Sequence, residues 1–286
     1  MGGPLLIAGA GGMLGHALQT VCGQRGRSFF APVESEFDIT SPQEVSRVVT
    51  SFAALYPDGV LVNAAAYTNV EAAEDDPQRA FLVNRTGARL LAHAAARGGM
   101  PFVHVSTDFV FDGTKDGAYN EDDVPNPLSV YGISKLAGEH VVLAANPTAL
   151  IVRTAWVFGP NGSNFPTKIL ERAAGSIAIT VVNDEIGSPT YTLDLAAGIL
   201  GLIDAGARGL FHLADSGSCA RDEMARETLR LAGMDAVKVV AVPASTFPSK
   251  APRPANSVLD CSKAAGLGVT MPDWHDALAR FVPTVR

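Results

Sequence analysis

The stretch Leu5-Leu6-Ile7-Ala8-Gly9-Ala10-Gly11-Gly12-Met13-Leu14-Gly15 decides the fold class. Four apolar residues in a row, without alternation, read as a strand buried on both faces. Glycines follow at once at spacing three and three, namely Gly9, Gly12 and Gly15, and lead into a helical pattern opened by Met13 and Leu14. A strand, a tight loop and a helix start in that order form an anion site. Gly12 lets the backbone approach a pyrophosphate, Gly15 lets helix and strand pack closely, and the free N–H groups of the helix start bind the phosphates. The apolar run is too short for a membrane span or the core of a signal peptide, and no basic segment precedes it.

Working outward, Ser28 to Ala31, Val60 to Asn63 and Phe102 to Ser106 read as three further strands, alternating with longer helical patterns. Ser41-Pro42-Gln43-Glu44 has a capping serine, a proline at the first helical position and a glutamate at the third. It starts a helix that runs to about Tyr56 and ends at Pro57-Asp58-Gly59. A helix from about Gln78 to Arg97 has Phe81, Leu82, Leu90, Leu91 and Ala94 as its apolar face, and Gly98-Gly99 breaks it. Another spans Tyr131 to Ala145 and leads into a strand at Leu150 to Arg153. The expected fold is α/β, a Rossmann-type doubly wound parallel sheet. Residues 1–158 are expected to form the dinucleotide-binding domain, with a strand and helix returned from about 190–215. Residues 159–286 form a smaller substrate lobe whose elements are interrupted by Pro160, Pro166, Pro189, Pro243, Pro248, Pro252 and Pro254.

Composition agrees with a buried sheet. Of 286 residues, 47% are hydrophobic and 18% charged, too apolar for disorder. The net charge of −7 argues against nucleic acid and requires that a phosphate-bearing ligand be held by local donors. No run of about 18 apolar residues suits a membrane helix. Cys22, Cys219 and Cys261 are scattered, without metal-ligand spacing or a disulfide framework, and read as reduced thiols of a cytoplasmic protein.

Tyr131-Gly132-Ile133-Ser134-Lys135 sets a phenol and an ammonium four residues apart, hence on one face of a helix. A cation beside a phenol favours the phenolate, so Lys135 is expected to lower the pKa of Tyr131 and make it a proton donor-acceptor. Thr107, at the carboxyl end of a strand where open α/β sheets bind ligands, is placed to hydrogen-bond a carbonyl. Glu34, beyond the second strand, is a candidate for the adenosine ribose, and Asp38-Ile39 for the adenine face; NADH against NADPH stays open.

With these residues, the chain resembles the extended short-chain dehydrogenase/reductases, where the GxxGxxG spacing belongs, and within them the dTDP-4-dehydrorhamnose reductase family. The likeness extends through Asn63-Ala64-Ala65-Ala66-Tyr67-Thr68, Ser106-Thr107-Asp108-Phe109-Val110-Phe111, Tyr131 to Glu139, Arg153-Thr154-Ala155-Trp156-Val157-Phe158-Gly159, Gly187-Ser188-Pro189-Thr190 and Arg253-Pro254-Ala255-Asn256-Ser257. The resemblance implies reduction of the C4 keto group of a dTDP-linked 4-keto-6-deoxyhexose by NADPH, NADH being possible. It implies catalysis by Tyr131, Lys135 and Thr107, and a cofactor site that adds Ala65, Ala66 and Tyr67 to Gly9, Gly12, Met13, Leu14, Gly15, Asp38 and Ile39. It implies a substrate site of Val70, Thr107, Asp108, Trp156, Arg253 and Asn256, with Trp156 stacking beside sugar or base and Arg253 gripping the diphosphate. A homodimer is possible, and a Mg2+ ion is left open, since no His/Asp/Glu cluster calls for one.

Three positions depart from the family: Phe109 replaces a tyrosine, Glu71-Ala72 an Asp-Lys pair, and Arg221 a common tryptophan. Rival readings are a reductase, 4-epimerase or 4,6-dehydratase of another nucleotide sugar, and a non-catalytic NADP-binding regulatory subunit. A dehydratase needs an acidic pair after the threonine, and Asp108-Phe109 supplies one carboxylate.

Overall fold

The computed structural model describes residues 2–285. In chain order its first half runs β1 (Leu5–Ala8), α1 (Met13–Gln24), β2 (Phe29–Phe30), α2 (Pro42–Leu55), β3 (Val60–Asn63), α3 (Val70–Asp75), α4 (Pro77–Phe81), a π-helical segment Leu82–Gly87, α5 (Ala88–Arg97), β4 (Phe102–Thr107), α6 (Val130–Ala145) and β5 (Leu150–Thr154). The remainder runs β6 (Val157–Phe158), α7 (Phe165–Ala173), β7 (Ala178–Val182), β8 (Ile186–Gly187), β9 (Thr190–Tyr191), α8 (Thr192–Asp204), β10 (Gly209–His212), β11 (Cys219–Ala220), α9 (Arg221–Leu231), β12 (Lys238–Val242), α10 (Ser262–Ala265) and α11 (Trp274–Phe281).

Six strands form one parallel sheet in the order β10-β5-β4-β3-β1-β2. The order reverses direction between β1 and β3, the switch point where ligands bind outside the strands' carboxyl ends. Leu5 and Ile7 pack with Leu18 of α1 and Ile199 of α8 on one face, while Leu6 and Ala8 pack with Val49 of α2 and Leu91 of α5 on the other. Both faces are therefore dry, which is why β1 reads as unbroken apolarity. Outside this sheet, β7 and β12 pair in parallel and cover the Ile169, Ala225 and Leu229 cluster of α7 and α9.

Several expected details change. At α2 the Ser41 hydroxyl accepts the Glu44 N–H at 3.3 Å, but Glu44 turns its carboxylate to the Asp38 N–H at 2.7 Å instead of back to the cap. The helix read over Gln78 to Arg97 is interrupted by the π segment, and its buried face is Ala80, Asn84, Ala88, Leu91, Ala92 and Ala95, with Leu82 exposed. Small residues win because α5 lies close to α2 and α6. The strand read over Ser28 to Ala31 shrinks to two exposed residues at the sheet edge. Among the described residues, no helix is long and apolar enough to cross a membrane.

Candidate active site

The glycine loop closes β1 onto α1 under tight constraint. Gly9 has φ +81°, and a Cβ there would sit 2.5 Å from the Ala65 nitrogen; a Cβ on Gly15 would sit 2.2 Å from the Gly9 carbonyl oxygen. Over Gly11 a Cβ would meet nothing within 4 Å, and over Gly12 only the Gly9 carbonyl oxygen at 3.5 Å. Glycine is thus needed below the loop for packing and above it leaves an open cradle. α1 has no side-chain cap and no acidic residue in its first turn, so its N–H groups face that cradle unclaimed. These features fit the pyrophosphate of a nicotinamide dinucleotide. Met13, first in α1, lies against Gly162 and Asn164, which bring the α7 loop over the cradle.

The loop after β3 carries Ala65, Ala66 and Tyr67. The Ala65 N–H donates to Asn63 Oδ1 at 3.1 Å and the Tyr67 N–H to Asn84 Oδ1 at 2.8 Å. Asn84 Nδ2 donates in turn to the Tyr67 carbonyl and to Ser134 Oγ. Asn84, missed in the sequence, ties the loop after β3 to α6 from inside the π segment. A buried asparagine in a helix otherwise packed by small apolar residues was the available signal. Asp38 holds the Thr40 N–H and hydroxyl in a local turn, with Ile39 buried beside it, while Glu34 is exposed in the turn after β2.

α6 begins at the Ser129 cap and sets Tyr131, Ser134 and Lys135 against the end of β4. Tyr131 is 9% exposed, in an apolar cup of Ala73, Ala80, Tyr67, Val70 and Phe109. The Phe109 ring meets it edge-on with centroids 5.6 Å apart. Burial pushes the phenol up to about 12, opposed by a hydrogen bond with Thr107 and helped by the Asp108 charge. The expected lowering by Lys135 is corrected here. The Lys135 ammonium, 2% exposed, donates to the Val105 carbonyl at 2.6 Å, its one hydrogen-bond partner among the described residues, and burial brings it down to about 8. A buried ammonium with donors to spare fits the diol of a cofactor ribose. Below it, Glu139 accepts two hydrogen bonds from Arg153, at 2.9 and 2.7 Å, and one from Ser106.

Thr107 donates to Asp108 Oδ1 at 2.9 Å. Burial raises the Asp108 carboxyl to about 6, against the nearby Ser257 and Thr107 hydroxyls and the charge of Arg221. Its Oδ2 has no partner in hydrogen-bond geometry among the described residues. Val70, Thr107, Asp108 and Tyr131 thus converge. Arg253 is already engaged: it donates to Glu71 Oε1 at 3.0 Å, beside Ser249 at 2.6 Å and the Lys250 N–H at 3.0 Å on the same carboxylate. Asn256 spends both ends of its amide on backbone, Nδ2 on the Lys115 and Gly117 carbonyls and Oδ1 on the Val258 N–H.

The sequence model of the family described as the RmlD substrate binding domain matches residues 3–286. The chain belongs to this family. It is 41% identical over 285 residues to the dTDP-4-dehydrorhamnose reductase of Mycolicibacterium smegmatis, a match spanning 98% of this chain and 85% of that one. It is 38% identical over 285 residues to a probable dTDP-4,6-dihydroxy-2-methyloxan-3-one 4-ketoreductase of Streptomyces antibioticus, spanning 98% and 95%. The crystal structure of the Bacillus anthracis dTDP-4-dehydrorhamnose reductase, in complex with NADP, superposes with a TM-score of 0.93 at 34% identity over 99% of this chain and 100% of that one. The Rossmann-like sheet expected from the sequence is therefore the sheet of the RmlD family.

Proposed function

We propose that the chain is a cytoplasmic enzyme that reduces the C4 keto group of dTDP-4-dehydro-L-rhamnose to give dTDP-L-rhamnose, with NADPH as reductant. The observation that carries this reading is the meeting of Tyr131, Thr107 and Asp108 at the carboxyl end of β4. Bound NADPH supplies the hydride to C4. Tyr131 gives its phenolic proton to the oxygen that becomes the alkoxide. A phenol at about 12 is fully protonated at neutral pH, which suits a donor, and the alkoxide is the stronger base. Thr107 orients the carbonyl oxygen, and Lys135 turns its spare donors to the cofactor ribose. Gly9, Gly12, Met13, Leu14 and Gly15 cradle the pyrophosphate; Asp38, Ile39, Ala65, Ala66 and Tyr67 border the adenosine and nicotinamide ends. Val70, Asp108 and Trp156 border the sugar and Arg253 the diphosphate, while Asn256 acts by holding the 115–117 backbone beside them.

A second substrate is favoured by one relative. The sugar named for the Streptomyces antibioticus protein bears no hydroxyl on the ring carbon beside the anomeric one. Phe109, packed on Tyr131, fills the place of the second carboxylate that a dehydratase needs.

The reading is tested by following NADPH oxidation with dTDP-4-dehydro-L-rhamnose and identifying the product. Stoichiometric conversion to dTDP-L-rhamnose supports it. No oxidation with any dTDP-linked 4-keto-6-deoxyhexose ends it and favours a regulatory subunit.

A further inference from the structure

Arg221 departs from its family, and the fold lays it on the indole of Trp156. It opens α9 directly after β11, which pairs antiparallel with β8, Ala220 opposite Ile186 and Cys219 opposite Gly187. Its backbone N–H donates to the Glu185 carbonyl at 3.3 Å, and its Nε pairs with Glu185 Oε2 at 3.4 Å, the two side chains 15% and 12% exposed. Anchored in this way, the guanidinium carbon lies 3.3 Å from the Trp156 ring centroid and 5.2 Å from that of Phe165.

Trp156 needs such a hold. Its φ of +45° is strained for a bulky residue, and a value of that kind persists only where the surroundings over-determine it. Gly187 leaves room for the ring, since a Cβ there would stand 2.3 Å from the indole Cε2. The ring packs against two clusters at once: Val110, Phe111 and Ala155 next to the end of β4, and Phe158, Tyr191 and Cys219 of β6, β9 and β11. One face of the indole is taken by the planar cation, and Glu185 keeps that cation from turning away.

We propose that Arg221, anchored by Glu185, is a positioning residue that sets the Trp156 indole against the sugar of the bound nucleotide sugar. The inference rests on the reductase reading above, in which Trp156 borders the sugar. Arg221 acts through the ring: it occupies one face, and the sugar meets what that stack leaves open. A tryptophan at this position can stack on Trp156 but cannot pair with Glu185, and it leaves a largely buried carboxylate without its cation.

The test measures dissociation constants by calorimetric titration, with NADP+ present, for dTDP and for dTDP-L-rhamnose, which adds the sugar. Arg221→Met keeps a stem over the indole and loses the planar cation. It is expected to weaken dTDP-L-rhamnose about tenfold while dTDP and NADP+ stay within about twofold of wild type, with Arg221→Lys between. The deciding measurement is a cycle with Trp156→Leu. Because Arg221 acts through the indole, Arg221→Met should change dTDP-L-rhamnose affinity by less than about twofold in the Trp156→Leu background. A full tenfold loss there overturns the proposal, since the guanidinium would then act without the ring. So does equal weakening of dTDP, the mark of a general loosening, and so does wild-type affinity for dTDP-L-rhamnose in either Arg221→Met or Trp156→Leu alone. Should Arg221→Met fail to fold, Arg221→Lys takes its place in the cycle, and additivity with Trp156→Leu overturns the proposal in the same way. The reductase reading fails separately, on absence of NADPH oxidation by wild type with any dTDP-linked 4-keto-6-deoxyhexose.

Discussion

Around the end of β4, Thr107, Asp108, Tyr131 and Lys135 are each no more than 9% exposed, and each is held by a buried neighbour or by the backbone. The seam between α3 and residues 248–253 is built the other way. There Arg253 pairs with Glu71 and Lys250 with Asp75, with side chains between 39% and 63% exposed. In the first region desolvation sets every charge state: the phenol is held up, the ammonium is brought down and the carboxyl is raised. In the second, hydrogen bonds in water dominate, and Glu71 is held at about 2, so it stays charged at any working pH. On the proposed function, proton transfer in the first region needs positions that do not move, and taking up a diphosphate in the second needs contacts that exchange cheaply with solvent.

Removing a proton from the first region should have the largest effect. Tyr131→Phe keeps the ring in its cup and is expected to lower kcat about a thousandfold while the NADPH dissociation constant stays within about twofold. A single-turnover measurement near the wild-type rate would contradict the assignment. Breaking the buried support comes next. Arg153→Met leaves the Glu139 carboxylate, 3% exposed, without its bidentate partner beneath Lys135. Stripping one partner from such a pair costs about 3 kcal/mol, a fall in Tm of roughly 6 to 12 °C. A Tm within about 2 °C of wild type would mean that the buried pair contributes nothing.

Legibility followed the same division. β1 and β3 have in the structure the boundaries their unbroken apolarity implied, because a strand buried on both faces leaves that mark in sequence. β2 left a weak one, since two exposed edge residues are constrained by little. Tyr131 and Lys135 were legible as neighbours by helical spacing. That Lys135 turns to the Val105 carbonyl was not, because the partner lies 30 positions away and only the sheet brings it near. The same holds for Arg153 under Glu139 and for Arg221 on Trp156, where each residue alone reads as an ordinary charge. Asn84 showed only as a polar residue in a helix; the π segment that turns it toward Tyr67 has no pattern of its own.

A smaller effect separates buried from exposed charge through pH. Asp215, 2% exposed, accepts the Tyr191 N–H at 2.9 Å, and burial lifts its carboxyl from 3.8 to about 8. Between those values the folded chain keeps a proton that the unfolded chain releases. This contribution to stability is complete below pH 3.8 and is lost as pH rises toward about 8. The urea midpoint of wild type should therefore fall relative to Asp215→Asn as pH goes from about 5 to 8. Parallel profiles would show that Asp215 does not titrate there. The seam offers no such signature, since Glu71 titrates far below that window.

The smallest effect is the one that probes the seam directly. Glu71→Gln keeps an acceptor for the Ser249 hydroxyl and the Lys250 N–H but removes the charge that holds Arg253. If Glu71 serves to keep Arg253 oriented for the diphosphate, the variant should raise KM for the nucleotide sugar about threefold with kcat unchanged, because only binding common to ground and transition states is lost. If Glu71 instead competes with the diphosphate for Arg253, KM should fall by a similar factor. Raising the salt concentration separates either case from a packing effect, since exposed charges are screened within about 10 Å at 0.1 M ionic strength and the difference between variant and wild type should shrink. A change in kcat, or a KM difference that survives high salt, would show the seam to be as rigidly coupled to the chemistry as the end of β4, and the contrast between the two regions would fail.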